Sequence, residues 1–220
     1  MACGGIVLCG GRSSRMGLDK ATLPFGPELM LTRVVRLLGE VVDSIVVVAA
    51  AGGQELPPLP PDVRVVRDQR ESRGPLEGLY AGLSALPPEI DAAYATSCDV
   101  PLLVPAFVSR MFDLLEANAI AVPYCDDYPH PLAAVYRPAT VLPVVDSLLK
   151  ADRLRPVFLF EMVPTRMVKR EELVDVDPEL STLENLNHPV DYLAALASAG
   201  FSAPPDVVAQ IAAHESRRTK

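Results

Sequence analysis

The chain has 220 residues, half of them hydrophobic and 22% charged, which suits one substantial core and is short for two independent domains. Its net charge of −8 argues against a broad nucleic-acid footprint, so any anion site must be local. Four cysteines without a CxxC pair, three isolated histidines and no apolar window of about 18 residues point to a reducing cytoplasm, without a zinc site, disulfide framework, leader or membrane span.

In chain order, apolar and β-branched runs of strand length fall at 5–9, 44–49, 63–67, 92–97 and 119–122. Helical patterns fill most of the intervals, at 29–42, 76–86 and 106–117. The stretch 52–62 carries four prolines and reads as an extended surface loop. Beyond 122 the rhythm changes to a turn at 125–129, a strand-like 130–137, a helix near 140–150, a strand-like 166–169 and a last helix opening at Pro189. Residues 201–220 read as an appended tail, partly helical and with no function assigned. Short buried strands alternating with amphipathic helices predict a Rossmann-like α/β fold, a mostly parallel sheet with helices on both faces in three α/β/α layers.

Such sheets bind ligands where the strands' carboxyl ends meet a crevice, and the first strand ends at Gly10-Gly11. Glycines let backbone N–H groups approach an anion, and Arg12, Arg15 and Lys20 set three cations against the single acid Asp19. That suits a polyphosphate. The spacing is neither a Walker loop nor a GxGxxG fingerprint. The competing reading is a plain turn with solvated arginines.

Three other stretches bear two readings each. In "RGPLEGLYAGL", Gly78 and Gly82 share a helical face with Gly74 just before it, and each interior glycine costs roughly 1 kcal/mol against alanine. Close approach of either a packed element or a ligand would account for that. Asp68, at the exit of the third strand, is either a loop acid or an acceptor for a base or ribose. Asp99 in "YATSCDVPLL" ends an apolar strand, where it either caps the next helix or ligates an ion that bridges phosphates. In "TLENLNHPVDYL", Asn187 or His188 is placed to cap a helix that Pro189 begins.

The pattern LxGGxSxRMGxDKxxLxF, followed in order by the strand-terminal Asp68, GPLxGLxxGL, Asp99 and Asn-x-Asn-x-Pro, resembles the nucleotidyltransferases, and most closely the molybdenum cofactor guanylyltransferases. The resemblance runs from residue 6 to about 190. It implies the nucleotidyltransferase fold over 1–200, with a nucleotide-binding half at 1–103 and an acceptor-substrate half at 104–200. It also implies transfer of GMP from GTP to molybdenum-bound molybdopterin, with pyrophosphate released. Carried over residue by residue, nucleotide contacts fall on Leu8, Cys9, Gly10, Gly11, Lys20, Asp68 and Asp99. Catalysis falls on Arg15, Lys20 and Asp99, Mg²⁺ on Asp99, and the acceptor on Asn185 and Asn187. The resemblance leaves room for transient contact with proteins that supply or accept the cofactor. His130 in "HPLAAVY" also matches a family segment, although a lone histidine at a strand start is commonly structural.

Three positions depart from the family pattern. The second strand is followed by Ala49-Ala50-Ala51 rather than an asparagine that contacts the nucleotide, Cys9 replaces alanine, and His188 replaces threonine. Two alternatives therefore stand beside guanylyl transfer: a CTP-dependent cytidylyltransferase on the same pterin or another phosphorylated small molecule, and a catalytically silent nucleotide-binding adaptor.

Overall fold

A computed structural model describes residues 1–10, 16–68 and 74–218. The first part of the chain supplies β1 (Cys3–Leu8), a 3₁₀ turn at Lys20–Thr22, the small ribbon of β2 (Pro24–Phe25) and β3 (Glu28–Leu29), and α1 (Met30–Leu38). Next come β4 (Ser44–Ala49), β5 (Arg64–Arg67), α2 (Pro75–Ala85), β6 (Ala92–Ser97) and α3 (Pro105–Asp113). The rest contains β7 (Ile120–Cys125), β8 (Tyr128–Pro129), β9 (Ala134–Tyr136), α4 (Pro138–Lys150), α5 (Val157–Phe160), β10 (Thr165–Lys169), α6 (Pro189–Ser198) and α7 (Pro205–Arg218).

Among the described residues, the main sheet runs β10-β7-β9-β6-β1-β4-β5, with β8 paired to β7. β1 pairs in parallel with β4 on one side and β6 on the other. β9 runs antiparallel to both its neighbours, so the sheet is mixed but mostly parallel, as expected. The chain steps outward from β1 to β4 and β5, then returns through α2 to β6 on β1's other flank. This reversal opens a crevice at the carboxyl ends of β1, β4, β5 and β6.

Successive residues of the central strands feed two different cores, as a period of two requires. Val7, Ile45, Val47 and Tyr94 face α1 and α3, whereas Ile6, Val46, Val48 and Ala95 face α2, α4 and α5. Burial on both faces explains why these strands read as continuous apolar runs. Prolines at the first turn of α2, α3, α4 and α6 preset φ where the missing N–H would have no helical partner anyway.

The two α2 glycines are explained mainly by packing. A Cβ on Gly82 would come within 2.5 Å of Ile6 Cγ2, and one on Gly78 within 2.8 Å of Leu8 Cδ2, so both let the helix settle on β1.

Several sequence expectations are amended. The first crossover helix stops at Leu38, because Gly39 closes it and tighter turn bonds follow. The strand expected over 130–137 is confined to Ala134–Tyr136, while β7 extends through Pro123 to Cys125. β7 and β8 form a hairpin whose two loop residues, Asp126 and Asp127, have φ of 53° and 64°. Paired left-handed residues match the twist of the flanking strands, and short acidic side chains tolerate them.

The segment read as an appended tail is packed against the fold. Val207 and Ile211 of α7 are buried with Met16, Phe25, Met30, Tyr192 and Leu196 in a third apolar cluster. Phe25 and Phe201 meet edge to face at 6.0 Å. A Cβ on Gly17 would fall 2.4 Å from the His214 ring, so α7 lies against the end of the loop that follows β1.

Candidate active site

The crevice gathers side chains from four strand exits. β6 ends at Ser97, whose hydroxyl donates to Asp99 Oδ1. Lys20 Nζ reaches Asp99 Oδ2 at 2.7 Å and Asn187 Oδ1 at 3.1 Å. This cluster is largely sheltered, with the Lys20 and Asp99 side chains 14% and 15% exposed. Two backbone devices hold it. The Leu186 N–H donates to the Asp99 carbonyl at 2.9 Å, fastening the 180s segment to the β6 exit. The Asp19 carboxylate accepts from Ala21 N–H at 3.0 Å, capping the 3₁₀ turn that carries Lys20.

Asn187 and His188 also lie at the start of α6, where both backbone N–H groups donate to Asp191 Oδ2. His188 is the N-cap and Pro189 the first helical residue, as expected. The same short segment therefore caps a helix and places an amide oxygen on Lys20. Asn185 is exposed and lines the pocket beside the β7–β8 hairpin.

On the other side of β1, the Asp68 N–H donates to the Ala49 carbonyl at 2.9 Å. Its carboxylate fills the space over two glycines: a Cβ on Gly10 would lie 2.9 Å from Oδ2, and one on Gly78 3.4 Å from Oδ1. Asp68 Oδ1 is buried with no hydrogen-bond partner among the described residues. Burial, with the nearby Glu77 charge, pushes the Asp68 carboxyl above the usual range. An orphaned acceptor of this kind fits a ligand that brings its own donor, such as a base or a sugar hydroxyl.

Leu8 and Cys9 are buried, Leu8 in the α2-side core and Cys9 in the α1-side core. The Cys9 thiol is paired with Cys98 on the neighbouring strand exit, and this contact together with burial pushes its pKa far up, so it stays neutral. Gly10 is exposed at the β1 exit. Gly11 and Arg15, expected at the nucleotide and its phosphates, lie outside the described residues, as does Arg12.

The sequence reading missed Gln54. Its Nε2 donates to the Cys9 carbonyl at 3.3 Å and to the Asp19 carboxylate at 3.2 Å, while Oε1 accepts from Ala50 N–H at 3.0 Å. One amide thus joins the β1 exit, the β4 exit and the residue before Lys20. It arises from a proline-rich loop beside the triple alanine, and a lone amide in such a loop gives no motif to read.

A sheltered lysine–aspartate pair at the carboxyl ends of a mostly parallel sheet, beside a glycine-lined cleft, defines a protein of the nucleotidyltransferase fold. The chain matches the MobA-like NTP transferase domain over residues 5–165, and it belongs to that family. It is 37% identical over 204 residues to a probable molybdenum cofactor guanylyltransferase of Mycobacterium avium, covering 90% of this chain and 97% of the relative. Its fold is similar to that of molybdopterin-guanine dinucleotide biosynthesis protein A from Archaeoglobus fulgidus, with a TM-score of 0.73 at 18% identity over 90% of this chain and 98% of that one. A Mycobacterium tuberculosis H37Rv protein solved in complex with manganese is also similar, with a TM-score of 0.54 at 20% identity over 77% of this chain and 88% of that one.

Proposed function

We propose that this nucleotidyltransferase transfers GMP from GTP to molybdenum-bound molybdopterin, forming the guanine dinucleotide cofactor and pyrophosphate. The observation that carries the reading is the Lys20–Asp99–Asn187 cluster, which joins the nucleotide loop, the β6 exit and the segment before α6 at one point. Support for the substrates comes from the relative at 37% identity, named a probable molybdenum cofactor guanylyltransferase.

In this reading a phosphate oxygen of the acceptor bonds to the α-phosphorus of GTP, in line with the bond to the β-phosphate. That bond breaks and pyrophosphate carries away the electron pair. No covalent enzyme intermediate is needed, so the protein contributes positioning and electrostatics. Lys20 exchanges Asp99 for the phosphates and stabilises the charge gathering on the leaving group. Asp68 takes a donor from the base or ribose over Gly10. Asn187 holds Lys20 and, with Asn185, borders the acceptor.

The residues fit a hard divalent ion held by one carboxylate. Asp99 supplies such an oxygen at the phosphate side, and no cluster of three acidic, histidine or cysteine residues occurs elsewhere among the described residues. One carboxylate completed by substrate phosphates and water is the ordinary donor set for Mg²⁺. Asp99 would hold that ion, which when bound neutralises triphosphate charge.

The test is pyrophosphate release from molybdopterin, Mg²⁺ and each nucleoside triphosphate in turn. GTP alone should support release. A preference for CTP would move the assignment to cytidylyl transfer, in keeping with the missing asparagine after β4. Nucleotide binding without release under every pairing would make the chain a silent adaptor.

A further inference from the structure

Asp99 stands in an irregular stretch between β6 and α3, where Pro101 brings no N–H of its own. Outside elements hold that stretch. From one side the Leu186 N–H donates to the Asp99 carbonyl at 2.9 Å. From the other, Arg33 of α1 donates through Nε to the carbonyl of the buried Pro101 at 2.7 Å. Pro101 is two residues beyond Asp99, a span of at most about 7 Å. Arg33 is itself fixed for this contact. Its side chain is 19% exposed, its guanidinium carbon lies 5.1 Å over the Phe25 ring, and Nη1 donates to Glu28 Oε2 at 3.2 Å. Arg36 first, and Arg33 with it, holds the Glu28 carboxyl below the usual range, so that anchor stays charged. A planar fork serves a ring face, a carboxylate and a carbonyl at once, which a lysine ammonium does not.

The start of α1 is bonded to the turn that carries Lys20. Met30 N–H donates to the Leu23 carbonyl at 2.8 Å, and Leu23 N–H donates to the Lys20 carbonyl at 3.3 Å. Arg33 thus ties the segment bearing Lys20 to the segment bearing Asp99 without using either of those side chains. In catalysis that independence matters, because the direct Lys20–Asp99 contact is given up when Lys20 turns to the phosphates. A strap that ends on a backbone carbonyl survives the exchange.

We infer that Arg33 is a positioning residue, which holds the Asp99 carboxylate in register with the nucleotide loop once Lys20 has left it, an assignment that rests on the divalent-ion site proposed at Asp99. Arg33 touches neither nucleotide nor ion. It acts through the Pro101 carbonyl on where the Asp99 oxygens lie.

The experiment compares Arg33→Met, which keeps an unbranched stem over Phe25 and removes every donor, with Arg33→Lys and Glu28→Gln. Two readouts are taken on the full chain. One is turnover at saturating GTP against Mg²⁺ concentration. The other is the water-proton relaxation enhancement of Mn²⁺ and GTP bound to the chain, which reports the water on the ion and needs no turnover. For Arg33→Met the Mg²⁺ needed for half-maximal turnover should rise about tenfold and kcat fall by a similar factor, while the GTP KM stays within about twofold. Its enhancement should shift toward that of Asp99→Asn, as water replaces a displaced carboxylate. Arg33→Lys restores one donor and should recover part of both. Glu28→Gln should lower the melting temperature as Arg33→Met does, yet leave both readouts at wild-type values. If either readout is unchanged in Arg33→Met, or shifts equally in Glu28→Gln, the inference is overturned and Arg33 is a packing residue. Should Arg33→Met not fold, Arg33→Lys decides in its place: a raised Mg²⁺ requirement supports the strap and an unchanged one overturns it. If Asp99→Asn keeps the wild-type enhancement, the ion site fails and the strap with it. If Asp99→Asn shifts the enhancement and Arg33→Met does not, the ion site stands and the strap fails. If no triphosphate turns over, the proposed reaction fails and the enhancement alone decides the strap.

Discussion

Lys20 and Asp99, 79 residues apart in sequence, meet at 2.7 Å between Nζ and Oδ2. Each has a further partner, Asn187 for the lysine and Ser97 for the aspartate. The contact brings the segment after β1 to the exit of β6, and it must open for Lys20 to reach a phosphate. Asp99→Asn should keep the shape and the Ser97 contact while removing the charge. Turnover is expected to fall on the order of a thousandfold, by analogy with loss of a group that stabilises transition-state charge. The melting temperature should move by only a few degrees. Equal loss in rate and melting assays would make Asp99 structural.

Asp68 predicts opposite effects on stability and binding. Its carboxyl is raised by burial and by Glu77, so the folded chain holds its proton more tightly than the unfolded chain. The associated stability is present below the ordinary carboxylate range and is lost as pH rises through the elevated folded value. Asp68→Asn removes that loss. The variant should melt higher than the wild type near neutral pH, with the advantage shrinking under acid conditions, while its GTP affinity falls. Melting curves across pH with a parallel GTP titration check both. A variant that melts lower at neutral pH would refute the burial account.

Gln54 ties together the two ends of the segment between Cys9 and Asp19. Gln54→Glu is nearly isosteric but sets a second carboxylate against Asp19 and removes the donor. The expected result is a nucleotide KM about tenfold higher at pH 8, with a smaller change in kcat, because the loop is released rather than the reacting groups. Lowering the pH lets the two carboxylates share a proton and should bring KM back toward the wild-type value, a trend absent from the wild type. A uniform loss at every pH would reduce Gln54 to a packing residue.

The alternation of apolar runs and helical patterns made the layered sheet legible, because strands buried on both faces leave continuous hydrophobic stretches. The order of strands was less so. The antiparallel β9 is three residues long, and its pairing partners are chosen by tertiary contacts rather than by local composition. Within the candidate site, Asp68 and Asp99 were readable as acids that follow apolar strands, and Lys20 as one of three cations in the glycine-bearing stretch after β1. Gln54 was not, since its role depends on a loop folding back across the crevice.

α7 yields the last prediction, because its packing partners are set by tertiary contacts that local composition does not reveal. Ile211 is 5% exposed, among Met16, Phe25 and Met30. Ile211→Ala near the fold's edge should cost about 2 kcal/mol, the low end for such truncations, or about 4–8 °C in melting temperature for a chain of this size. Met16 belongs to the same cluster, and His214 closes over Gly17, so the damage should spread to the loop after β1. Removal of residues 201–220 should therefore lower the melting temperature further and weaken GTP binding, although the Lys20–Asp99 pair and Asn187 are all retained. Calorimetry and a GTP titration on both variants would check this. An unchanged melting temperature after truncation would restore the reading of an idle appendage. A lower melting temperature with unaltered GTP affinity would confine α7 to stability and separate it from the nucleotide loop.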